Sequence, residues 1–92
     1  MEVPCMRKQC EQILKNLFYK TLIYTRYHLE LTQNDMAEIL MMDVRSYVEL
    51  DHGNSGCSAL TLCLFLVFIC DNPNSFLEQF KVSVERLREN VA

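Results

Sequence analysis

Twelve consecutive residues, Ala59 to Cys70, contain Thr61 as their one polar side chain. Nothing else in the sequence constrains the fold as tightly. A bilayer-spanning helix needs about twenty apolar residues, so a run this short between Ser58 and Asp71 is expected to be a buried helix of a soluble chain, not a membrane anchor. A helix that is apolar around its whole circumference must be covered on every side. The cover has to come from the first, third and fifth helices of the chain or from another chain. The 92 residues suffice for a single domain with one core. Half of them are apolar, and only two are glycine and two proline, which excludes a disordered, collagen-like or linker-type chain. With Gly53 and Gly56 alone, a glycine-rich phosphate loop is excluded too.

The rest of the sequence reads as helices that could supply this cover. Over 11–28, Ile13, Leu14, Leu17, Phe18, Leu22, Ile23 and Tyr24 recur mostly three and four apart, the period of an amphipathic helix. Lys15, Lys20 and Arg26 lie off that stripe, and Pro4 fits either a first-turn position or an extended lead-in. Thr32 and Asp35 have capping-box spacing for a helix over 32–40, with Met36, Ala37, Ile39 and Leu40 facing inward. Asp43 caps a short helix over 44–51 that offers Tyr47, Val48 and Leu50 to the core, and Gly53 suits the left-handed residue that ends it. Residues 53–58 form a loop, Ser58 caps the fourth helix, and residues 71–74 form a turn. Ser75 and Glu78 are expected to open the fifth helix as a capping box. There Leu77, Phe80, Val84, Leu87 and Val91 make a seam two heptads long that fits either the chain's own core or a partner. The expected architecture is all-α: a compact five-helix bundle forming a single domain over 1–92, with its core in 11–71 and a C-terminal helix over 75–90.

Two short helices separated by two or three residues must cross steeply, which is the geometry of a helix-turn-helix. Small Ala37 permits close approach, and Leu40, Tyr47 and Leu50 dock the pair on the other helices. The stretch Leu31-Thr32-Gln33-x-x-Met36-Ala37-x-x-Leu40, followed by Arg45-Ser46-Tyr47-x-x-Leu50-Asp51-x-Gly53, resembles the lambda-repressor-like (XRE-type) helix-turn-helix family, and it does so without gaps across residues 31–53. Ser58-x-Leu60-Thr61-Leu62 resembles the start of that family's fourth helix. The resemblance implies sequence-specific binding of double-stranded DNA by a small transcriptional regulator, with the helix over 44–51 in the major groove. Carried over by position, Val44, Arg45 and Glu49 would face base edges and Ser46 a base or the backbone. Thr32 and Gln33 would anchor a phosphate, and Asn54 and Ser55 would meet the backbone beyond Gly53. Thr32 and Gln33 serve equally well as plain capping residues. Met41 stands where the family has a turn glycine, which costs roughly 1 kcal/mol if that backbone is left-handed.

Charge opposes this reading. Residues 1–26 carry +3, residues 27–80 carry −7 with Arg45 as their one Lys or Arg, and residues 81–92 carry +1, for −3 in all. Proteins hold DNA by neutralising phosphates with Lys and Arg, so binding per copy is expected to be weak, with Arg45, Lys15, Lys20 and Arg26 as the available cations. A homodimer through residues 75–91, with the fourth helix as a further contributor, would strengthen it. The alternative is a module of the same fold that binds protein as an adaptor or antirepressor, with little or no DNA binding.

An enzyme is not expected, because no nucleophile–base pairing or nucleotide loop is present. Nor is a cofactor or metal: Cys5 and Cys10 are the only closely spaced cysteines, and His28 and His52 stand alone. The start Met1-Glu2-Val3-Pro4 has no basic lead into an apolar stretch, so a reducing cytoplasm is expected, with five free thiols and with Cys63 and Cys70 buried as small hydrophobes.

Overall fold

The structure, a computed structural model, describes residues 5–91. Among them there are five helices and no strand: α1 (Cys5–His28), α2 (Gln33–Ile39), α3 (Val44–Asp51), α4 (Ala59–Phe68) and α5 (Pro73–Val91). Local capping explains most of the boundaries. The Thr32 hydroxyl accepts from the Asp35 N–H while the Asp35 carboxylate accepts from the Thr32 N–H, which completes the capping box of α2. Asp43 accepts from the Ser46 N–H at the start of α3, and Ser58 from the Thr61 N–H at the start of α4. No helix among the described residues is long and apolar enough to cross a membrane.

Three helices end in the same way. After α1, α2 and α3 the chain turns through Glu30 (φ 55°), Met41 (φ 58°) and Gly53 (φ 75°). In each case that residue and its successor return their N–H groups to the last turn: Glu30 to Tyr27 and Leu31 to Arg26, Met41 to Glu38 and Met42 to Ala37, Gly53 to Leu50 and Asn54 to Glu49. These are Schellman motifs, whose left-handed residue is usually glycine. Here glycine fills one of the three.

The core lies where the first four helices converge on the start of the fifth. Phe18 and Leu22 of α1, Met36 and Ala37 of α2, Leu40 just beyond it, Tyr47 and Leu50 of α3, Phe65 of α4, Ile69 at its C-terminal cap and Phe76 of α5 are all buried. Phe18 meets Phe65 edge to face with ring centroids 5.3 Å apart, a favoured aromatic geometry. α5 packs along α1.

Three expectations are corrected, the start of α5, its capping box and the burial of Cys63, and two that were left open are narrowed. α5 begins at Pro73, not Ser75: the Asn72 side chain accepts from the Ser75 N–H, and proline is well suited to the first helical position because its missing N–H would have no partner there. The Ser75–Glu78 box does not form; the Ser75 hydroxyl accepts from Gln79 instead. In the α5 seam, Phe80, Val84 and Leu87 are half-buried but Leu77 is 50% exposed, and the Val91 side chain lies outside what is described. Cys63 is exposed while Cys70 is half-buried against the core. Finally, the described residues of the chain itself do not cover α4 on every side, so the expected alternative of cover from another chain stays open. Its Thr61 and Phe65 turn inward, yet Leu60, Val67 and Phe68 stand 67%, 72% and 63% exposed.

Candidate nucleic-acid interface

The α2–α3 pair is held together by its connection and by a buried polar knot. Four residues, Leu40 to Asp43, join the two helices. Leu40 is buried beneath them, Met41 takes the left-handed turn with its side chain in solvent, and Asp43 caps α3. Periodicity then divides α3 into two faces. Tyr47, Leu50 and Asp51, spaced three and four apart, are buried, while Val44, Arg45, Ser46 and Glu49 are exposed.

Asp51 is the centre of the knot. Its carboxylate accepts from Arg26 Nε at 3.0 Å and Nη2 at 3.3 Å, from Gln33 Nε2 at 3.2 Å and from the Tyr47 hydroxyl at 2.8 Å. Arg26 Nη1 also donates to the Leu31 carbonyl at 3.3 Å. One carboxylate therefore ties α1, the first turn of α2 and the last turn of α3 together, and a fork-shaped guanidinium is the cation suited to grip it. Burial pushes the Tyr47 phenol well above its ordinary range, and the hydrogen bond to Asp51 adds to the shift. Burial opposes the charge on Arg26, but the Asp51 carboxylate more than restores it.

The residues expected to meet DNA fall into three groups. Val44, Arg45, Ser46 and Glu49 lie together on the outer face of α3. The Ser46 hydroxyl and N–H are both directed at Asp43. Thr32 and Gln33 stand at the start of α2, where the Thr32 hydroxyl serves the cap and the half-buried Gln33 amide donates inward to Asp51. Asn54 and Ser55 are exposed in the loop after α3, with the Asn54 N–H returned to Glu49. Arg26, expected among the cations free for phosphate, is instead engaged by Asp51, because a buried carboxylate must be paired.

The structure also gathers residues that sequence reading left apart. Lys15, Asn16 and Tyr19 of α1 line a groove of about 240 Å³ with His52, Gly53 and Ser55 from the end of α3 and its loop. A Cβ on Gly53 would lie 3.3 Å from Tyr19 Cε1, so the turn sits close against that ring. Lys15 and Tyr19 are four apart, one helical turn, and that spacing was the available signal. Among the described residues no three His, Cys, Asp or Glu side chains converge as metal ligands do; the Cys5 side chain lies outside them. Comparison with protein-family models, with curated proteins and with solved structures finds no match for this chain.

Proposed function

We propose that this chain is a small DNA-binding transcriptional regulator in which α2 and α3 act as a helix-turn-helix and α3 enters the major groove. One observation carries the reading: α3 is locked from behind by Tyr47, Leu50 and Asp51, while its other face offers Val44, Arg45, Ser46 and Glu49 to solvent with none of the described residues in front of them. A recognition helix needs this arrangement, since base edges are read by side chains held in fixed register. The resemblance of residues 31–53 to the lambda-repressor-like helix-turn-helix family supports the same assignment. Arg45 is the principal reader: a bidentate guanidinium on guanine is worth about 1–3 kcal/mol of base discrimination. Val44 meets a thymine methyl, and Glu49 accepts from cytosine or excludes a phosphate. Lys15, Asn16 and Ser55 line the flank where the sugar-phosphate edge would pass. Thr32 and Gln33 act chiefly by setting the start of α2, and a second N–H of the Gln33 amide remains for a phosphate.

A protein-binding role without DNA is the second reading. The observation favouring it is that Arg26 is engaged by Asp51, while Arg45 is the one Lys or Arg among residues 27–80, which carry eight acidic residues. Fluorescence anisotropy on labelled duplexes of random sequence separates the two. A DNA binder loses affinity as salt rises, with a slope set by its few cations, Lys15→Ala lowers that slope of log affinity against log salt by about 1, and Arg45→Ala flattens base preference in a selected site. Absence of binding at low salt and high protein concentration would eliminate the DNA-binding reading in favour of the adaptor.

A further inference from the structure

The outward side of α4 is a single apolar stripe. Leu60, Cys63, Leu64 and Val67 step by three, one and three, so they lie along one line of the helix, with Phe68 at its margin. All are exposed except the half-buried Leu64. α4 carries no charged residue, and the turns flanking it supply Ser58 and Asp71 but no cation. Three large side chains exposed to this degree, with Cys63 between them, present roughly 350–400 Å² of apolar surface, within the range of the largest patch on a soluble chain and the kind that marks a contact site.

We infer that this stripe of α4 is covered by the same stripe of a second copy, in a two-fold homodimer. Area is the first argument. Pairing two such stripes removes about 700–800 Å² of apolar surface, and the atoms around their rim bring the total to roughly 1,000 Å², the scale of a weak but specific interface. Charge is the second. A partner of different sequence is selected and oriented by complementary charges and polar groups, and this stripe has none to offer. A two-fold contact needs only a surface that matches itself, which an uncharged stripe of leucine, valine and phenylalanine does. Helices that lie on bilayers carry Lys or Arg beside their apolar face; α4 carries none, and the segment around it is acidic. α5, by contrast, packs along α1, and Phe80, Val84 and Leu87 of its seam are half-buried within the chain, so more apolar surface is left bare on α4 and the pairing is assigned there. Cys63 sits at the middle of the stripe, close to where the two-fold axis would pass. This inference does not depend on DNA binding.

Sedimentation equilibrium or light scattering from low to several hundred micromolar tests it. The mass should rise from 10.8 kDa toward twice that value with Kd on the order of 10 μM. Added salt should leave dimerisation unchanged or tighten it, since each copy bears −3. Val67→Glu and, as a second variant, Leu60→Gln should give monomers with unchanged helical circular dichroism, because both side chains point into solvent. Leu77→Glu, on α5, should still dimerise. A short bismaleimide should yield a covalent dimer with the parent chain and little with Cys63→Ser. A mass fixed at the monomer value would overturn the inference, as would dimers that survive Val67→Glu and Leu60→Gln or dissociate with Leu77→Glu. Monomers that float with neutral lipid vesicles would assign the stripe to a bilayer instead, with the same consequence.

Discussion

Replacing Met41 by glycine should stabilise this protein, although glycine weakens most helical proteins. Met41 is the left-handed residue of the motif that ends α2, with φ 58° and a side chain 75% exposed. An L-residue in that conformation is strained by about 1–2 kcal/mol because its Cβ crowds the following carbonyl. Glycine relieves the strain but adds freedom to the unfolded chain, which costs about 0.4–1 kcal/mol. Removal of a mostly solvated side chain forfeits a few tenths more. The balance favours glycine by about 0.5 kcal/mol, equivalent to roughly 2–4 °C in Tm for a domain of this size. Met41→Ala keeps the strain and removes the same side-chain contacts, so it is the reference. Urea unfolding followed by far-UV circular dichroism should place Met41→Gly above Met41→Ala by about 1 kcal/mol. At an ordinary helical position the order is reversed. Gly53→Ala supplies the mirror image: it introduces the same strain and sets a Cβ 3.3 Å from the Tyr19 ring. If Met41→Gly proves no more stable than Met41→Ala, the turn does not hold the left-handed backbone and the reasoning fails.

Two further predictions concern the polar knot. Asp51→Ala leaves the half-buried Arg26 guanidinium without a counter-charge and the Tyr47 hydroxyl without its acceptor, and should cost about 2–3 kcal/mol, a large part of the stability of a domain this small; a shift in urea midpoint no larger than that of a surface alanine substitution would refute the pairing. The Tyr47 phenol, held above its ordinary value of 10.0 by burial and by Asp51, remains protonated in the folded chain after the unfolded chain has begun to ionise. Its contribution is therefore intact below about pH 10 and declines as pH rises beyond it. Tyr47→Phe should be less stable at pH 8, through loss of the 2.8 Å hydrogen bond, yet show a shallower alkaline decline, measured as urea midpoints between about pH 8 and 11; parallel declines would refute the assignment.

Which features were legible in the sequence follows from how local they are. The caps at Thr32, Asp43 and Ser58 each involve a side chain and an N–H three residues on, so residue type and spacing sufficed to place the starts of α2, α3 and α4. The start of α5 differs from the expected one because two caps compete within seven residues. Asn72 with Pro73 prevails over Ser75 with Glu78, since the proline has its φ already set for a first turn. In α4 the hydrophobic pattern has no direction: phenylalanine stands both at 65, buried, and at 68, exposed. A helix apolar all round can be called helical, but nothing in its own residues tells which side its neighbours will leave bare. The Arg26–Asp51 pair joins positions 25 apart, beyond any local period. Its trace was the acid at the third corner of the buried Tyr47, Leu50 and Asp51 face, a position where only a paired carboxylate can be accommodated.

Shape and charge on the α3 face therefore have different origins, and they make different demands. The outward posture of Arg45 is fixed from within, by a carboxylate that consumes the charge of Arg26 and draws the Gln33 amide inward. The knot that gives α3 a rigid register is thus also what removes a cation from the side that would face phosphate under the proposed reading. A single copy that binds DNA has to do so with few ionic contacts and a correspondingly shallow salt slope. Joining two copies through α4 would present two such faces on one object, and the second would then bind at an effective concentration set by the first. Salt acts on the two steps in opposite directions, loosening the hold on phosphate while relieving repulsion between acidic copies. Because two joined faces release about twice the counterions of one, the salt dependence of the assembled species should nonetheless be steeper than that of Val67→Glu on the same duplex, a difference that a rigid monomeric reader would not show.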